Sequence, residues 1–543
     1  MRYLLNLMLL FLCTYHLSFS GGMYKSYLVK VKSKSRPFSP GDQRSNIARI
    51  KDQGNDSLSS LEALLLKELS QVNLNLNGPR RASSPKVKKI QKLWFINTIR
   101  VICRFDFLDK IKSQKDVIEV IPDELVYLSF ENNDDESEIS FLQNSGLSDL
   151  HDQKITGKGV RIGVIDTGIL NHEAFKNKIL IYKNFTKSKI EGQVDPIGHG
   201  SHVSAILVGE KMNDRQIGVA PDSKLIVARA IERVSNLGSQ ALVKKRVQAF
   251  ASKILEAMQW MLDPDQNPDT DDFPKIINNS WGFTESMPLS KGFFDSAIAK
   301  WRELGIIPVF AAGNMGREGE NSILFPSNSY EVITVGALKG ASLAKFSSIG
   351  SDALKKPDFV MQGYRVYSLM RKRSGEVAYG YQSGTSMASP KLSALIALMY
   401  QVDPFLNYDE VYSLLKESSQ DLGEDGFDKK YGWGYPDMKL VIENVKINLI
   451  EKTNSGTKST FKYYSHYSSQ EEKTKEIKEN IINLEKSYEN FIKQILADHR
   501  MFLLNSWEVE LNKEAKKFPK LYQKLKAKVH RIKKFSSIFT GEN

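Results

Sequence analysis

Four polar residues stand where a buried strand ends or a helix begins, and together they could activate a hydroxyl group. Asp166 and Asn314 follow apolar runs typical of buried strands, whereas His199 and Ser386 precede apolar runs with helical spacing. A histidine can act as a general base near neutral pH. A serine at a helix start gains the positive field of free backbone N–H groups, which suits a nucleophile whose attack creates an oxyanion. An asparagine amide can donate a hydrogen bond to that oxyanion.

Each of these residues also has a simpler structural interpretation. Ser386 could be an ordinary helix cap, Asp166 a turn cap and Asn314 a residue in a left-handed turn. His199 and His202 together resemble half of a metal site, but no Glu stands in the HExxH position and no third ligand is obvious. We therefore predict that His202 is a packed structural residue.

The elements that must position these side chains alternate between strands and helices over residues 140–445. This alternation predicts an α/β domain of three layers, in which helices cover both faces of a parallel sheet. Open sheets of this kind place their sites at the carboxyl ends of the strands. We therefore expect the four side chains to meet at one edge of one sheet.

The motifs that carry these residues resemble those of the subtilisin-like serine proteases, the subtilases of peptidase family S8. The resemblance covers a little over half of the chain and rests on five stretches: Val164-Ile165-Asp166-Thr167-Gly168, Gly198-His199-Gly200-Ser201-His202-Val203, Gly218-Val219-Ala220-Pro221, Ala311-Ala312-Gly313-Asn314 and Gly384-Thr385-Ser386-Met387-Ala388-Ser389-Pro390. An insertion at 263–272, running into Asn278-Asn279-Ser280-Trp281-Gly282, further resembles the branch that contains bacillopeptidase F.

The resemblance implies a reaction and a set of roles. Asp166, His199 and Ser386 would form a catalytic triad, and Asn314 would donate to the oxyanion. The substrate would be a protein or peptide, bound as an added strand, and no cofactor would be required for the chemistry. The two strands flanking the first substrate pocket would contribute Ser280, Trp281, Gly282, Ala311, Ala312 and Gly313.

Several positions depart from the usual pattern of this family. Lys391-Leu392-Ser393 follows Pro390 where the family usually has His-Val-Ala, and Met361-Gln362 replaces a usual Ala-Pro. Ser201 stands where Thr is frequent, and Ser204-Ala205 where Ala-Gly is frequent. None of these changes affects the four proposed catalytic positions. We expect them to alter the shape of the pocket and leave the reaction type unchanged.

The acidic insertion at 263–272 raises the question of a calcium site. Asp263, Asp265 and Asp269 supply the hard oxygen ligands that calcium prefers. The EF-hand pattern fails, however, because Pro268 stands where the turn glycine should be and Pro274 where the bidentate Glu should be. A solvated, turn-rich loop is the favoured interpretation, with structural calcium as the alternative.

Residues 1–20 have the pattern of a secretory signal peptide. Arg2 supplies a positive start, residues 3–13 are mostly apolar, and small residues at 18–20 precede Gly21. This predicts export to the cell envelope or beyond, either extracellular or periplasmic. A lipoprotein anchored at Cys13 ranks second. Cys103 is the other of the two cysteines, so the exported chain could form no internal disulfide.

Residues 21–135 predict a small α+β domain, with strands at 27–31, 99–105 and 117–121 and a helix at 58–74 after a polar loop at 36–57. By the family resemblance, residues 117–123 are similar to the end of a subtilase propeptide. Such a segment would assist folding, occupy the cleft as an inhibitor and be removed. An acidic run at 131–136 predicts the cut within residues 128–140.

Residues 446–543 form a basic extension that carries much of the net charge of +13. Apolar stripes at 477–495 and 521–532 predict helices. The extension could attach to an acidic surface such as membrane headgroups, but a small helical bundle with a solvated lysine face is slightly favoured. Nucleic-acid binding is not expected, because no groove-reading motif accompanies the charge.

These observations predict a secreted serine endopeptidase that is made as a zymogen. Composition agrees with a globular chain, with 41% hydrophobic and 26% charged residues, and the length of 543 residues predicts about three domains. Two alternatives remain open at this point. One is a catalytically silent binding protein on a protease fold, and the other is an adhesin-like protein in which the basic extension has the main role.

Overall fold

The computed structural model describes residues 24–34, 43–70, 85–128, 146–188, 190–212, 215–233, 247–267, 270–283, 289–372 and 374–454. The chain divides into two compact units, Met1–Leu449 and Ile450–Asn543. The predicted signal peptide, the acidic run at 131–136 and nearly all of the basic extension lie outside the described residues. Of the second unit, only residues 450–454, the end of a helix, are described.

The N-terminal part is a small antiparallel sheet with two helices. Its strands are β1 (Tyr24–Val31), β2 (Val87–Leu93), β3 (Thr98–Arg104) and β4 (Val117–Pro122), in the order β2-β3-β1-β4. Helix α1 (Gln43–Ser70) and the short helix α2 (Leu108–Lys112) accompany them. The predicted strands at 27–31, 99–105 and 117–121 are confirmed within three residues at their ends.

Two predictions for this part were wrong. Helix α1 begins at Gln43, inside the stretch predicted as a loop, because Ile47 and Ile50 are buried and anchor an otherwise polar first half. Strand β2 was not predicted, because its VKKIQKL sequence has no clear period-two pattern. In both cases packing against neighbouring elements outweighs local sequence preference.

The central sheet has eight strands, and seven of them are mutually parallel. They are β6 (Arg161–Asp166), β7 (Ile179–Asn184), β8 (Lys224–Arg229), β11 (Ile276–Asn279), β12 (Ile307–Ala311), β13 (Ile333–Lys339) and β15 (Phe359–Gln362), with β14 (Ser342–Leu343) antiparallel. Their order is β14-β13-β12-β11-β6-β8-β7, and β15 also pairs with β13. The predicted parallel α/β sheet is confirmed.

Helices lie on both faces of this sheet, and a separate hydrophobic core lies between the sheet and the helices on each face. The helices are α3 (Leu147–Asp152), α4 (His199–Val208), α5 (Ala251–Trp260), α6 (Lys291–Glu303), α7 (Thr385–Val402), α8 (Tyr408–Glu417) and α9 (Met438–Asn454). Strand residues alternate between faces. Val164 therefore packs with residues of α4 and α7, whereas Ile165 packs with residues of α5 and α6.

Smaller strands pair outside the central sheet. Strand β10 (Val247–Phe250) pairs on one side with β9 (Glu232–Arg233) and on the other with β5 (Leu125–Leu128). The hairpin β16 (Val366–Arg371) and β17 (Val377–Gln382) leads directly into α7, and β18 (Ser419–Gln420) pairs with β19 (Tyr435–Pro436). Among the described helices, none has the length and apolar character needed to cross a bilayer.

Candidate active site

Asp166 and His199 meet at the carboxyl edge of the sheet. Asp166 is the last residue of β6, and His199 is the first residue of α4. The His199 Nδ1–H donates to Asp166 Oδ1 at 2.8 Å, in surroundings where the aspartate is fully buried. The same carboxylate oxygen accepts the Thr167 N–H at 2.7 Å. The bond from Nδ1 orients the ring and leaves Nε2 as the nitrogen that can act as a base.

The position of α4 is fixed by a carboxylate that the sequence analysis missed. Asp195 Oδ1 accepts hydrogen bonds from Thr167 Oγ1 at 2.9 Å and Gly198 N at 2.8 Å. Its other oxygen accepts from Ser201 N at 2.8 Å and Ser201 Oγ at 2.7 Å. The available signal was an aspartate a few residues ahead of a helix start, a typical capping position.

Glycine is required beside the histidine because the backbones approach closely there. A methyl group placed on Gly200 would lie 2.2 Å from the carbonyl oxygen of Gly168, much closer than atoms can pack. Any other residue at this position would push α4 away from β6 and separate His199 from Asp166.

Ser386 lies in the first turn of α7 and is 4% exposed. Its hydroxyl donates to the Ser280 carbonyl oxygen at 3.0 Å, and Ser280 Oγ donates to the Ser386 carbonyl at 2.9 Å. The end of β11 therefore holds this serine from both sides. Helices α4 and α7 also pack together at their first turns, where Val203 and Met387 share a small apolar cluster. This packing brings the helix turns that carry His199 and Ser386 together.

The Asn314 amide is oriented by the start of α7. Its Oδ1 accepts hydrogen bonds from Thr385 N at 2.9 Å and Thr385 Oγ1 at 3.0 Å. Its Nδ2 lies 3.3 Å from the position that a Cβ on Gly384 would occupy. Because the oxygen is engaged, the amide N–H groups face the segment that carries Ser386. An anion forming beside Ser386 would meet this donor.

The residues predicted to flank the first pocket lie beside this centre. Ser280 contacts Ser386 directly, and Gly313 N donates to Thr385 Oγ1 at 3.1 Å. Trp281 is 1% exposed and packs against Phe283 and Phe310, so only its main chain can face a substrate. Two further predicted residues lie at the end of the neighbouring strand, where Ala311 is the last residue of β12 and Ala312 follows it. Gly282 is considered below with Leu324.

His202 is a packed residue of the interior. It is fully buried, and burial, reinforced by the nearby His199, lowers the pKa of its ring to about 3. Within the described part of the chain, the one group of three or more metal-ligand side chains that lie together consists of Asp263, Asp265 and Asp272. The prediction that His202 is a packed residue is confirmed.

The departures from the family pattern lie in buried positions. Lys391 is 5% exposed in α7, and burial lowers the pKa of its ammonium to about 7. The described residues include no carboxylate that forms an ion pair with it. Met361 and Gln362 end β15 and are also buried.

The acidic loop gathers a slightly different set of residues from the one predicted. Carboxylate oxygens of Asp263, Asp265 and Asp272 lie within 4.8 Å of one another, while Asp269 lies outside the described residues. Asp263 Oδ2 accepts from Lys51 Nζ of α1 at 2.9 Å. Burial, with the neighbouring negative charges of Asp265 and Asp263, raises the pKa of Asp272 to about 6.

The N-terminal part contacts the α/β domain at the starts of α5 and α6. Asp123 accepts from Ser252 N at 3.1 Å at the start of α5, and Glu124 accepts from Ser290 N at 2.8 Å at the start of α6. The following strand, β5, pairs antiparallel with β10 along Val247–Phe250. Apolar residues at Val247, Ile254, Met258 and Met261 predict a helix over residues 242–262. Residues 247–250 instead form this strand, because they pair with β5 and β9, and the helix begins at Ala251.

Comparisons with known proteins agree with this geometry. Residues 157–434 match the family model described as the subtilase family. Bacillopeptidase F of Bacillus subtilis (strain 168) is 30% identical over 303 residues, which is 51% of this chain and 20% of that protein. Serine protease AprX of the same strain is 31% identical over 312 residues, 52% of this chain and 66% of that protein. Subtilisin DY of Bacillus licheniformis is 30% identical over 285 residues, 52% of this chain and 90% of that protein.

The chain therefore spans less than two thirds of the length of bacillopeptidase F and of AprX. The family model alone covers about half of the chain and includes all four residues of the candidate site. The resemblance inferred from the five motifs is confirmed, and the chain belongs to the subtilase family, the subtilisin-like serine proteases.

Proposed function

We propose that this chain is a secreted serine endopeptidase, made as a zymogen, that hydrolyses peptide bonds in proteins. The observation that carries the proposal is the buried Asp166–His199 hydrogen bond of 2.8 Å in a chain of the subtilase family. Ser386 would be the nucleophile and Asn314 the oxyanion donor. No cofactor is required for this chemistry.

The reaction follows from the charges at the site. The Ser386 hydroxyl turns from the Ser280 carbonyl towards His199, gives its proton to Nε2, and its oxygen attacks the substrate carbonyl carbon. Asp166 stabilises the resulting imidazolium, and Asn314 and the Ser386 backbone N–H stabilise the oxyanion. The C–N bond then breaks, and the leaving amine takes the proton from His199. Water repeats the sequence on the acyl-enzyme and restores Ser386.

The N-terminal part would act as an intramolecular inhibitor. Support comes from β5, which lies on β10 as an added strand, the manner in which a peptide substrate is expected to bind. Residues 1–20 would direct secretion, residues 21–135 would form the propeptide, residues 140–445 the peptidase domain and residues 446–543 an extension. The cut would fall within residues 128–140.

We also propose that the acidic loop can hold a structural calcium ion through Asp263, Asp265 and Asp272. Asp263 is 6% exposed, and its Oδ1 is buried without a hydrogen-bond partner among the described residues. Such an atom suits a hard cation. In the precursor, Lys51 of the propeptide already neutralises Asp263 at 2.9 Å, so calcium would have to compete with it.

Terbium luminescence tests the calcium proposal, because Trp260 donates to the Pro264 carbonyl at 2.8 Å and can sensitise a nearby ion. In the Ser386→Ala chain, Lys51→Met should tighten terbium binding roughly fivefold or more, the usual range of coupling between sites. Lys30→Met is the matched control. Lys30 also reaches from the N-terminal part to the α/β domain, but it donates to the neutral hydroxyl of Ser296 instead of a carboxylate. Binding that Asp265→Asn leaves unchanged would identify an adventitious ion only.

A fluorophosphonate probe tests the protease proposal. The probe should form a covalent adduct with the processed chain, and Ser386→Ala should abolish both this adduct and peptide hydrolysis. Ser389→Ala is the matched control, because Ser389 lies in the same helix and its hydroxyl contacts the Ser280 hydroxyl. This variant should still form the adduct. A folded chain that forms no adduct would instead be a silent binding protein on the protease fold.

A further inference from the structure

The space for the substrate side chain at the cut bond lies between two strand ends. The reactive carbonyl must sit beside Ser386, with its oxygen towards Asn314. Ser280, at the end of β11, contacts Ser386, and Gly313, after β12, precedes Asn314. The side chain attached to that carbonyl therefore extends between Gly282 and Gly313, two residues that leave room because they have no side chain.

The Leu324 side chain occupies the space between Gly282 and Gly313. A methyl group placed on Gly282 would lie 2.8 Å from Leu324 Cβ, and one placed on Gly313 would lie 2.5 Å from Leu324 Cγ. Both distances are shorter than van der Waals contact, so the leucine side chain packs directly on both glycines. Leu324 is 7% exposed, which means that almost none of this surface is left open.

The main chain fixes Leu324 in this place. Leu324 N donates to the Ala312 carbonyl at 3.0 Å, and the Phe325 carbonyl accepts from Phe283 N at 2.7 Å. The segment is thus hydrogen-bonded to both strands that flank the pocket. Phe325 is fully buried behind it and packs on Phe283 with ring centroids 5.7 Å apart. A large substrate side chain could enter only by displacing a leucine that is held from both sides.

We propose that Leu324 forms a raised floor in the first substrate pocket and restricts this enzyme to small residues, such as Ala, Ser or Gly, before the cut bond. The proposal rests on the proposed function, since it concerns the same site. Its physical basis is steric, because a close-packed wall cannot accommodate an extra ring without losing contacts elsewhere. It assigns the substrate class to one residue outside the five family motifs.

Peptide substrates that differ only in the residue before the cut bond test this proposal. For the processed wild-type chain, the peptide with Ala before the cut bond should have a kcat/KM about tenfold or more above that of the peptide with Phe there. Leu324→Ala should raise the kcat/KM for the Phe peptide by about tenfold or more and so remove most of the preference for Ala. Leu324→Val should give an intermediate ratio, and it keeps the test valid if the alanine variant fails to fold.

Ile323→Ala is the matched control. Ile323 is also buried, at 6% exposed, but none of its atoms is among those nearest to a Cβ placed on Gly282 or Gly313. It should lower stability without changing the Ala-to-Phe ratio. A wild-type preference for Phe, or an equal shift in the Ile323→Ala variant, would overturn the role of Leu324.

The fluorophosphonate adduct separates the two levels of inference, because the probe carries no peptide side chain. An adduct without hydrolysis of the Ala peptide would overturn the pocket assignment alone. Absence of both adduct and hydrolysis would overturn the protease and the pocket together. The processed chain offers a second readout, since its new N-terminus should follow one of the small residues Ser129, Ser137 or Ser140 within residues 128–140. A cut after Leu128 or Phe130 would contradict the proposal.

Discussion

At the scale of single residues, the candidate site depends on side chains whose orientation is fixed by hydrogen bonds away from the substrate. The Asn314 oxygen accepts two hydrogen bonds from Thr385, and its amide nitrogen lies beside Gly384, two residues before Ser386. His199 is held in the same way through Asp166. Such prior orientation is what gives a donor its catalytic effect, because no reorganisation is needed as charge develops.

Asn314→Ala should lower kcat by about 10²–10³ while changing KM little, because the lost bond strengthens only in the transition state. This range was measured on a side-chain oxyanion donor in a subtilisin, so it is an expectation carried over from the same family. Steady-state kinetics on a small peptide check it, with fluorophosphonate labelling to count active sites. A variant that retains full kcat would remove Asn314 from the proposed mechanism.

Lys391→Met should stabilise the protein at pH 7. Burial holds the pKa of Lys391 at about 7 instead of 10.5, so the folded state disfavours the ammonium that the unfolded chain carries. The cost is fully present below pH 7, shrinks as the pH rises and vanishes above about pH 10.5. At on the order of 1.4 kcal/mol per pKa unit, the gain in unfolding free energy should reach a few kcal/mol at or below neutral pH.

Urea unfolding at pH 7, 8.5 and 10 checks this expectation. Lys176→Met, at an exposed position, is the control and should have little effect at any of these pH values. A gain for Lys391→Met that is absent at pH 7, or that does not shrink towards pH 10, would show that the charged ammonium is not disfavoured by the fold.

At the scale of elements, the contact between the N-terminal part and the body is made at helix starts. Two successive carboxylates, Asp123 and Glu124, accept backbone N–H groups at the starts of α5 and α6. Asp123 is also bonded by Arg100 Nε at 3.0 Å and by Ser26 Oγ at 2.9 Å. These four residues connect the small antiparallel sheet to α5 and α6.

Replacing both Asp123 and Glu124 by alanine should loosen β5 from β10, because each cap contributes about 0.5–2 kcal/mol and both face positive helix ends. Hydrogen exchange of the amides in Leu125–Leu128 is the measurement, made on the uncut Ser386→Ala chain. Exchange should accelerate about tenfold or more. Glu119→Ala, an exposed carboxylate on β4, is the control, and equal protection in the double variant and the control would contradict the docking role.

At the scale of the whole molecule, the division into two compact units separates the candidate site from the basic extension. All the proposed catalytic residues belong to the first unit, Met1–Leu449. Helix α9 completes the body, because Val441, Ile442 and Val445 are fully buried in the larger core. The folding of the α/β domain therefore depends on α9.

Ending the chain after Asn454 should leave peptide turnover within about twofold of the full chain, in keeping with the independence of separate compact units. A control that ends after Asp437 removes α9 and its buried side chains, and it should fail to fold or to label with the fluorophosphonate probe. Loss of turnover in the first variant would show that the extension acts on the site. Measuring surface retention of both chains in parallel would test the adhesin-like alternative.

Much of the site could be predicted because chemistry constrains residue type and local spacing. Asp166, His199, Asn314 and Ser386 each lie beside glycines or at element ends that the backbone requires, and such requirements are visible within a few residues. The parallel sheet followed from alternating apolar strands and helices. Predictions failed where packing outweighed local preference, as in β2, the first half of α1 and the strand β10.

Motifs and periodicity identified the side chains that could perform the reaction and the parallel α/β sheet that carries them, because both signals act over short stretches of chain. The contacts on which the proposals about the substrate pocket and calcium rest became visible only in the folded chain. Leu324 meets Gly282 and Gly313 from a separate loop, and Lys51 reaches Asp263 across 212 positions of sequence. Such contacts depend on the order in which strands and helices pack, which no local pattern records.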